Sequence, residues 1–212
     1  MSAYATLDEV VAALAALEER FRSRGDRRAV FATLYGVVSA EMRDRVARRS
    51  FGDNEWVHRY AVTFANYYRE ALEAYDAGRT GDVAKAWRLC FDAATVRTGL
   101  VLQDLLLGVN AHVNNDLPLA LQRVSIDPDR SSRRRDHDAV NDVLAAVTER
   151  ATQRIAALYA PGLHSLDDCA GELDEMLSRF SLQTARDGAW ESAIALTNAR
   201  SSQERELTAT FV

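Results

Sequence analysis

Apolar residues recur along the chain at intervals of three and four, the period of helices that bury one face. Val10, Leu14, Leu17 and Phe21 follow Thr6-x-x-Glu9, which reads as a capping box, and Gly25 supplies a residue suited to ending that helix. Asp26 is a candidate cap for a second helix with the stripe Val30, Phe31, Leu34, Tyr35, Val37 and Val38. Phe51-Gly52-Asp53-Asn54 predicts a turn, with Asp53 capping a third helix that runs to about Ala77-Gly78. On that helix Trp56, Tyr60, Phe64 and Tyr67 stand four, four and three apart and share a face. From Asp82 a long fourth helix is expected through Trp87 and Phe91 into 98–107, apolar over most of its circumference, so that 95–115 forms a buried central helix. It should end or kink near Leu117-Pro118, because the residue before a proline avoids α geometry. A short helix then carries Leu119, Leu121 and Val124. The stretch 125–135, with Asp127-Pro128, reads as the longest and most mobile loop. Helices resume at about 138–159, 166–180 and 184–198, with a break at Pro161-Gly162. No alternation of β-branched residues would sustain a sheet. The pattern predicts an all-α, single-domain bundle over 1–212, of seven or eight helices around a central buried one.

Composition agrees: 212 residues suffice for a core without metal or disulfide staples, and 48% hydrophobic content with three prolines suits helices. A formal net charge of −5 argues against a dedicated nucleic-acid partner. The basic run Arg133-Arg134-Arg135 reads as a solvated loop segment. Cys90 and Cys169 have no metal-type spacing and read as small buried thiols. No leader-like N-terminus or membrane-length apolar stretch is evident, so a cytoplasmic protein without a membrane span is expected. Arg outnumbers Lys 25 to 1, a bias that fits a GC-rich genome.

The candidate chemistry lies in Gly108-Val-Asn-Ala-His112-Val-Asn-Asn-Asp116, where polar residues follow directly on the apolar run. On a helix His112 and Asp116 share a face, as a base and the carboxylate that orients it, or as two metal ligands. Asn110 and Asn114 form a second pair, rotated by roughly 160° at about 100° per residue. Buried polar groups need partners, so both pairs should bond to neighbouring helices or line a wet cavity. A structural reading stays open beside the functional one: Asp116 as a cap before Leu117-Pro118, Asn115 on outgoing carbonyls, and His112 as a satisfied core histidine. In 136–142 Asp136 or Asp138 is a candidate helix cap, and His137, beside the arginine run, reads as exposed. Asn141 is a further candidate hydrogen-bonding group. In the last helix Arg186 and Trp190 share a face, so that a guanidinium beneath an indole would anchor an anion; the structural alternative pairs Arg186 with a buried acid such as Asp116. No phosphate-binding glycine loop, nucleophile elbow, His-Glu-x-x-His motif or Cys/His cluster is present.

Several segments together resemble the domain of unknown function family 5995, an uncharacterised, all-helical and mainly actinobacterial family. They are Phe31-Ala-Thr-Leu-Tyr35-Gly-Val-Val-Ser39, Phe64-Ala-Asn-Tyr-Tyr68-Arg-Glu-Ala-Leu72, Gly108 to Leu121, Val140-Asn141-Asp-Val143-Leu144 and Ala185-Arg186-Asp-Gly-Ala-Trp190. The resemblance spans nearly the whole chain, its specific part being Asn-Ala-His-x-Asn-x-Asp-Leu; it implies a helical fold and no activity. Gly-x3-His-x3-Asp is also similar to zinc-dependent phospholipase C and P1-type nucleases, but Leu, Pro, Leu and Ala follow Asp116 where further ligands would be needed. Asn141-Asp142-x6-Glu149 resembles the second metal motif of class I terpene synthases, with Ala145 in place of the serine and no aspartate-rich partner. The function expected is an enzyme acting on a small organic molecule, a cyclase, lyase or hydrolase of specialised metabolism. His112 and Asp116 would be catalytic, and Asn110, Asn114, Asn141, Arg186 and Trp190 substrate-binding. The alternatives are a non-catalytic helical module binding a ligand or protein, and metal-dependent phosphoester or prenyl-diphosphate chemistry. No cofactor or tightly bound metal is expected; a metal site would need His112 and Asp116 joined by Asp138, Asp142, His137 or His164. The oligomeric state is left open.

Overall fold

The computed structural model describes residues 2–96, 100–159 and 182–199. The expected helix at 166–180, the Pro161-Gly162 break, Cys169 and His164 lie outside the described residues. The architecture is the all-α bundle expected, with no strand among the described residues. Helix α1 (Leu7–Ser23) starts at the Thr6–Glu9 capping box, and Gly25 turns the chain at φ 61°. Helix α2 (Ala29–Ala47) begins three residues after Asp26, whose side chain accepts the Arg28 amide within the preceding turn instead of capping the helix. Helix α3 (Asn54–Asp76) is capped by Asp53 on the Trp56 amide (2.9 Å).

The long fourth helix is two. Helix α4 (Lys85–Val96) follows a 3₁₀ turn (Thr80–Asp82), and α5 (Val101–Asn110) starts anew after Leu100, whose backbone is extended. The two helices pack on each other. Only a reversal explains this: one straight helix would hold Trp87 and Asp116 roughly 43 Å apart, at 1.5 Å per residue, yet their side chains are hydrogen-bonded.

Near Pro118 the chain neither ends nor breaks. Helix α5 runs through a π-helical segment (Ala111–Asp116) into α6 (Leu117–Arg123) with αR geometry at both joints. The Leu117 amide bonds to the His112 carbonyl, five residues back. A proline clashes with the carbonyl four residues before it; the wider π turn makes room for the ring and keeps the helix continuous.

The expected mobile loop is also shorter. Helix α7 (Arg130–Tyr159) begins inside it, so the arginine run is the helix's first turns. Arg133 donates to the carbonyls of Ser125 (2.7 Å) and Asp127, and Arg134 pairs with Asp138 (2.8 Å) and Asp187. Asp136 is therefore no cap of its own helix. It is buried and accepts the amides of Gly52 (2.7 Å) and Asp53 (2.8 Å), pinning α7 to the start of α3. Helix α8 (Leu182–Asn198) packs on α6. Among the described residues no helix is long and apolar enough to cross a membrane.

Candidate functional site

The π turn aims His112 inward, among aromatic rings from three helices. Phe64 of α3 stacks on the imidazole (centroids 3.5 Å apart, planes 6° off parallel), and Tyr35 and Phe31 of α2 meet it edge-on at 4.5 and 5.6 Å. Phe31 comes this close because Gly108, one turn before His112, has no side chain to block it. His112 is 3% exposed. Its Nδ1 lies 2.9 Å from Asp116 Oδ2, which also accepts the Trp87 indole N–H at 2.9 Å; Asp116 Oδ1 accepts the Asn115 amide at 2.7 Å. A carboxylate facing Nδ1 requires the proton there, which leaves Nε2 with its lone pair. Nε2 is buried and has no hydrogen-bond partner. Burial pushes the imidazole's pKa down, with Asp116 opposing, so the neutral form holds at neutral pH.

His112 lines a cavity of about 100 Å³, whose walls, among the described residues, are apolar apart from Ser39, Tyr35, Tyr60, His112 and Arg186. At its far wall Tyr60, stacked on Phe64 (6.3 Å), meets a second buried cluster. His137, read from the sequence as exposed, is fully buried there. Its Nε2 donates to the Arg186 carbonyl (3.2 Å), so Nδ1 accepts the Tyr60 hydroxyl (3.4 Å). Burial, then the charge of Arg186, pushes its pKa down to about 2. A model of the family of unknown function DUF5995 matches residues 7–211. The chain belongs to this family. No curated protein and no solved structure matches it.

In this DUF5995 protein the sequence-predicted residues fall into three groups. His112 and Arg186 line the cavity; Asp116 and Asn141 stand behind them, Asp116 on His112 and Asn141 accepting from Arg186 Nε (2.9 Å). Asn110 and Asn114 are turned away: Asn114 donates to Asn110 Oδ1 (2.8 Å) on an exposed face, satisfying both without a neighbouring helix or a wet cavity. Trp190 is buried outside the cavity against His137 (5.3 Å), and the guanidinium over its ring belongs to Arg134, not Arg186. Nor does Arg186 pair with Asp116, whose oxygens are taken by Trp87, His112 and Asn115. Asp116 is no side-chain cap for α6 either.

Sequence reasoning missed Phe31, Tyr35, Tyr60 and Phe64 as the walls of the site. Their signal was two aromatic pairs, each spaced by four. Among the described residues no three His, Cys, Asp or Glu side chains converge as metal ligands. Asp138 is committed to Arg134, and Asp142 is exposed.

Proposed function

We propose that this DUF5995 protein is an enzyme performing general acid–base chemistry on a small organic molecule in the cavity, with His112 Nε2 as the atom that moves the proton. The observation that supports it is a contrast within one molecule. A histidine kept for packing has both ring nitrogens engaged, as His137 has. His112 uses one, and leaves Nε2 as a buried, unpaired base in a side chain that lines the cavity. Asp116 fixes the tautomer and steadies the imidazolium that forms on proton uptake. Around it, aromatic and aliphatic walls exclude water and keep the base unprotonated between turnovers. A cyclase, lyase or hydrolase step fits this arrangement, and we assign it to specialised biosynthesis in the cytoplasm, in keeping with the free, buried thiol of Cys90.

The competing reading, a non-catalytic binding module, draws on Asp116, whose three donors join α4 to the π turn as a structural network would. Deprotonation of nitroethane, which needs only a base in an apolar site and is small enough for the cavity, separates the two. The wild type should accelerate it in proportion to the neutral fraction of one histidine. His112→Gln should fold with a near-native melting temperature and lose the acceleration. A rate unaffected by His112→Gln ends the proposal; a variant that unfolds assigns the dyad to structure.

A further inference from the structure

Arg186 is 4% exposed on the cavity wall, and each of its partners is neutral. Nε donates to Asn141 Oδ1 (2.9 Å), Nη2 to the His137 carbonyl (2.5 Å), and Nη1 reaches the Tyr60 hydroxyl (3.5 Å). Among the described residues no carboxylate lies within ion-pair distance of it. Among the described residues, Arg69 holds Glu73 at 2.7 Å, Glu18 holds Arg154 at 2.8 Å, and Asp104 meets Arg27. The buried carboxylates Asp116 and Asp136 are held by neutral donors, as Arg186 is by neutral acceptors, but neither of them lines the cavity. A buried guanidinium without a counter-charge is costly, and one on a cavity wall can receive it from a ligand. The neighbouring imidazole offers none, since His137 is itself held neutral.

We infer that the counter-charge is the ligand's: the cavity takes a small apolar monocarboxylate, its carboxylate on Arg186 and its hydrocarbon body along Phe64 toward His112 Nε2. This rests on the acid–base reading of the same cavity and supplies its substrate class. The remaining donors suit one small planar anion. Of five guanidinium N–H groups, three point at Asn141, the His137 carbonyl and Tyr60, and Nη2 also lies 3.4 Å from His137 Nδ1, which leaves one uncommitted on Nη1 and one long contact on Nη2 that a carboxylate oxygen would displace. A phosphate would need further donors and charge, and among the described residues no second Arg or Lys lines the cavity. The size selects a short body. A cavity of about 100 Å³ is smaller than the roughly 150 Å³ that holds the six carbons of benzene, which sets the hydrocarbon body at about four carbons.

Calorimetric titration of the full chain with 3-methylbutanoate, 3-methylbutanamide and 2-methylpropyl phosphate tests this. The carboxylate should bind at least about tenfold more tightly than the amide. Arg186→Gln should bring the carboxylate down to the amide's affinity and leave the amide unchanged. The comparison of probes on the wild type needs no variant, so it stands even if Arg186→Gln does not fold. Equal affinities for acid and amide, preference for the phosphate, or no binding of the acid at ~10 mM each overturn the inference. The ¹⁵N shift of His112 Nε2 is read in the same samples. Arg186-dependent binding with that shift unmoved, and with no His112-dependent deprotonation of nitroethane, would keep the ligand class and discard the acid–base role.

Discussion

His112 and His137 share one property with a measurable consequence: burial lowers the pKa of each below the ordinary 6.5. The unfolded chain binds a proton on each imidazole as the pH falls through that value, while the native protein takes each up only at a lower pH. Their contribution to stability is therefore complete above about pH 6.5 and is lost progressively below it, for His137 by up to about 1.4 kcal/mol per pH unit. For His137 the loss continues down to about 2. Urea unfolding between about pH 6.5 and 5 should show this slope, and His137→Gln should remove one histidine's share. An unchanged slope in that variant would mean that His137 already titrates in the native state. A second residue-scale prediction concerns Gly108. Alanine is the better helix former by about 1 kcal/mol, but a Cβ here would lie 2.5 Å from Phe31 Cδ2 and 2.9 Å from its Cβ. Gly108→Ala should therefore destabilise by about 1–3 kcal/mol and push Phe31 off the His112 ring. A gain in melting temperature would show that α2 yields freely.

Among elements, the π turn decides what the site can be. It adds a residue to an otherwise regular helix ahead of Pro118, which sets the face that His112 presents and lets the chain pass the proline. Deleting Asn114 should restore regular α geometry and return a carbonyl to the ring's path, costing about 3 kcal/mol. In a Pro118→Ala background the same deletion should cost much less, because alanine neither clashes nor lacks a donor. Equal costs in both backgrounds, measured by denaturant unfolding, would uncouple the π turn from the proline. The sequence does not announce a π turn: Leu117-Pro118 carries the local signature of a helix end, and the geometry that overrides it comes from packing. The same division holds elsewhere. Thr6-x-x-Glu9, Asp53 and Gly25 were legible because a cap or a turn is settled within four residues. His137 and Asp136 were misread because their partners, Tyr60, Arg186, Gly52 and Asp53, lie 49 to 84 positions away. His112 with Asp116 was legible as an i, i+4 pair; that Nε2 goes unpartnered depends on α2 and α3, which no local spacing records.

At the scale of the whole molecule, polar ties between helices brace the bundle around the cavity. Asp136 ties α7 to α3, Arg154 ties it to α1 through Glu18, and the Tyr159 hydroxyl meets Thr33 of α2 at 2.6 Å. So well braced a fold can tolerate a void. A cavity of about 100 Å³ forgoes about 2 kcal/mol of packing, at about 24 cal/mol per Å³. That stability is available to a substitution which adds carbon without disturbing the walls, and Ala61, half-buried on the cavity side of α3, offers the place. Ala61→Leu should raise stability by about 1 kcal/mol, since filling a void commonly gains that much where function had kept it open. The same change should abolish binding of 3-methylbutanoate and the base-catalysed deprotonation of nitroethane together, although it alters neither His112 nor Arg186 chemically. Denaturant unfolding and titration of one preparation measure both. A variant that is stabilised yet binds as the wild type does would place the ligand elsewhere; one that is destabilised, with binding intact, would show that the walls are already packed to fit and that the void is not spare room.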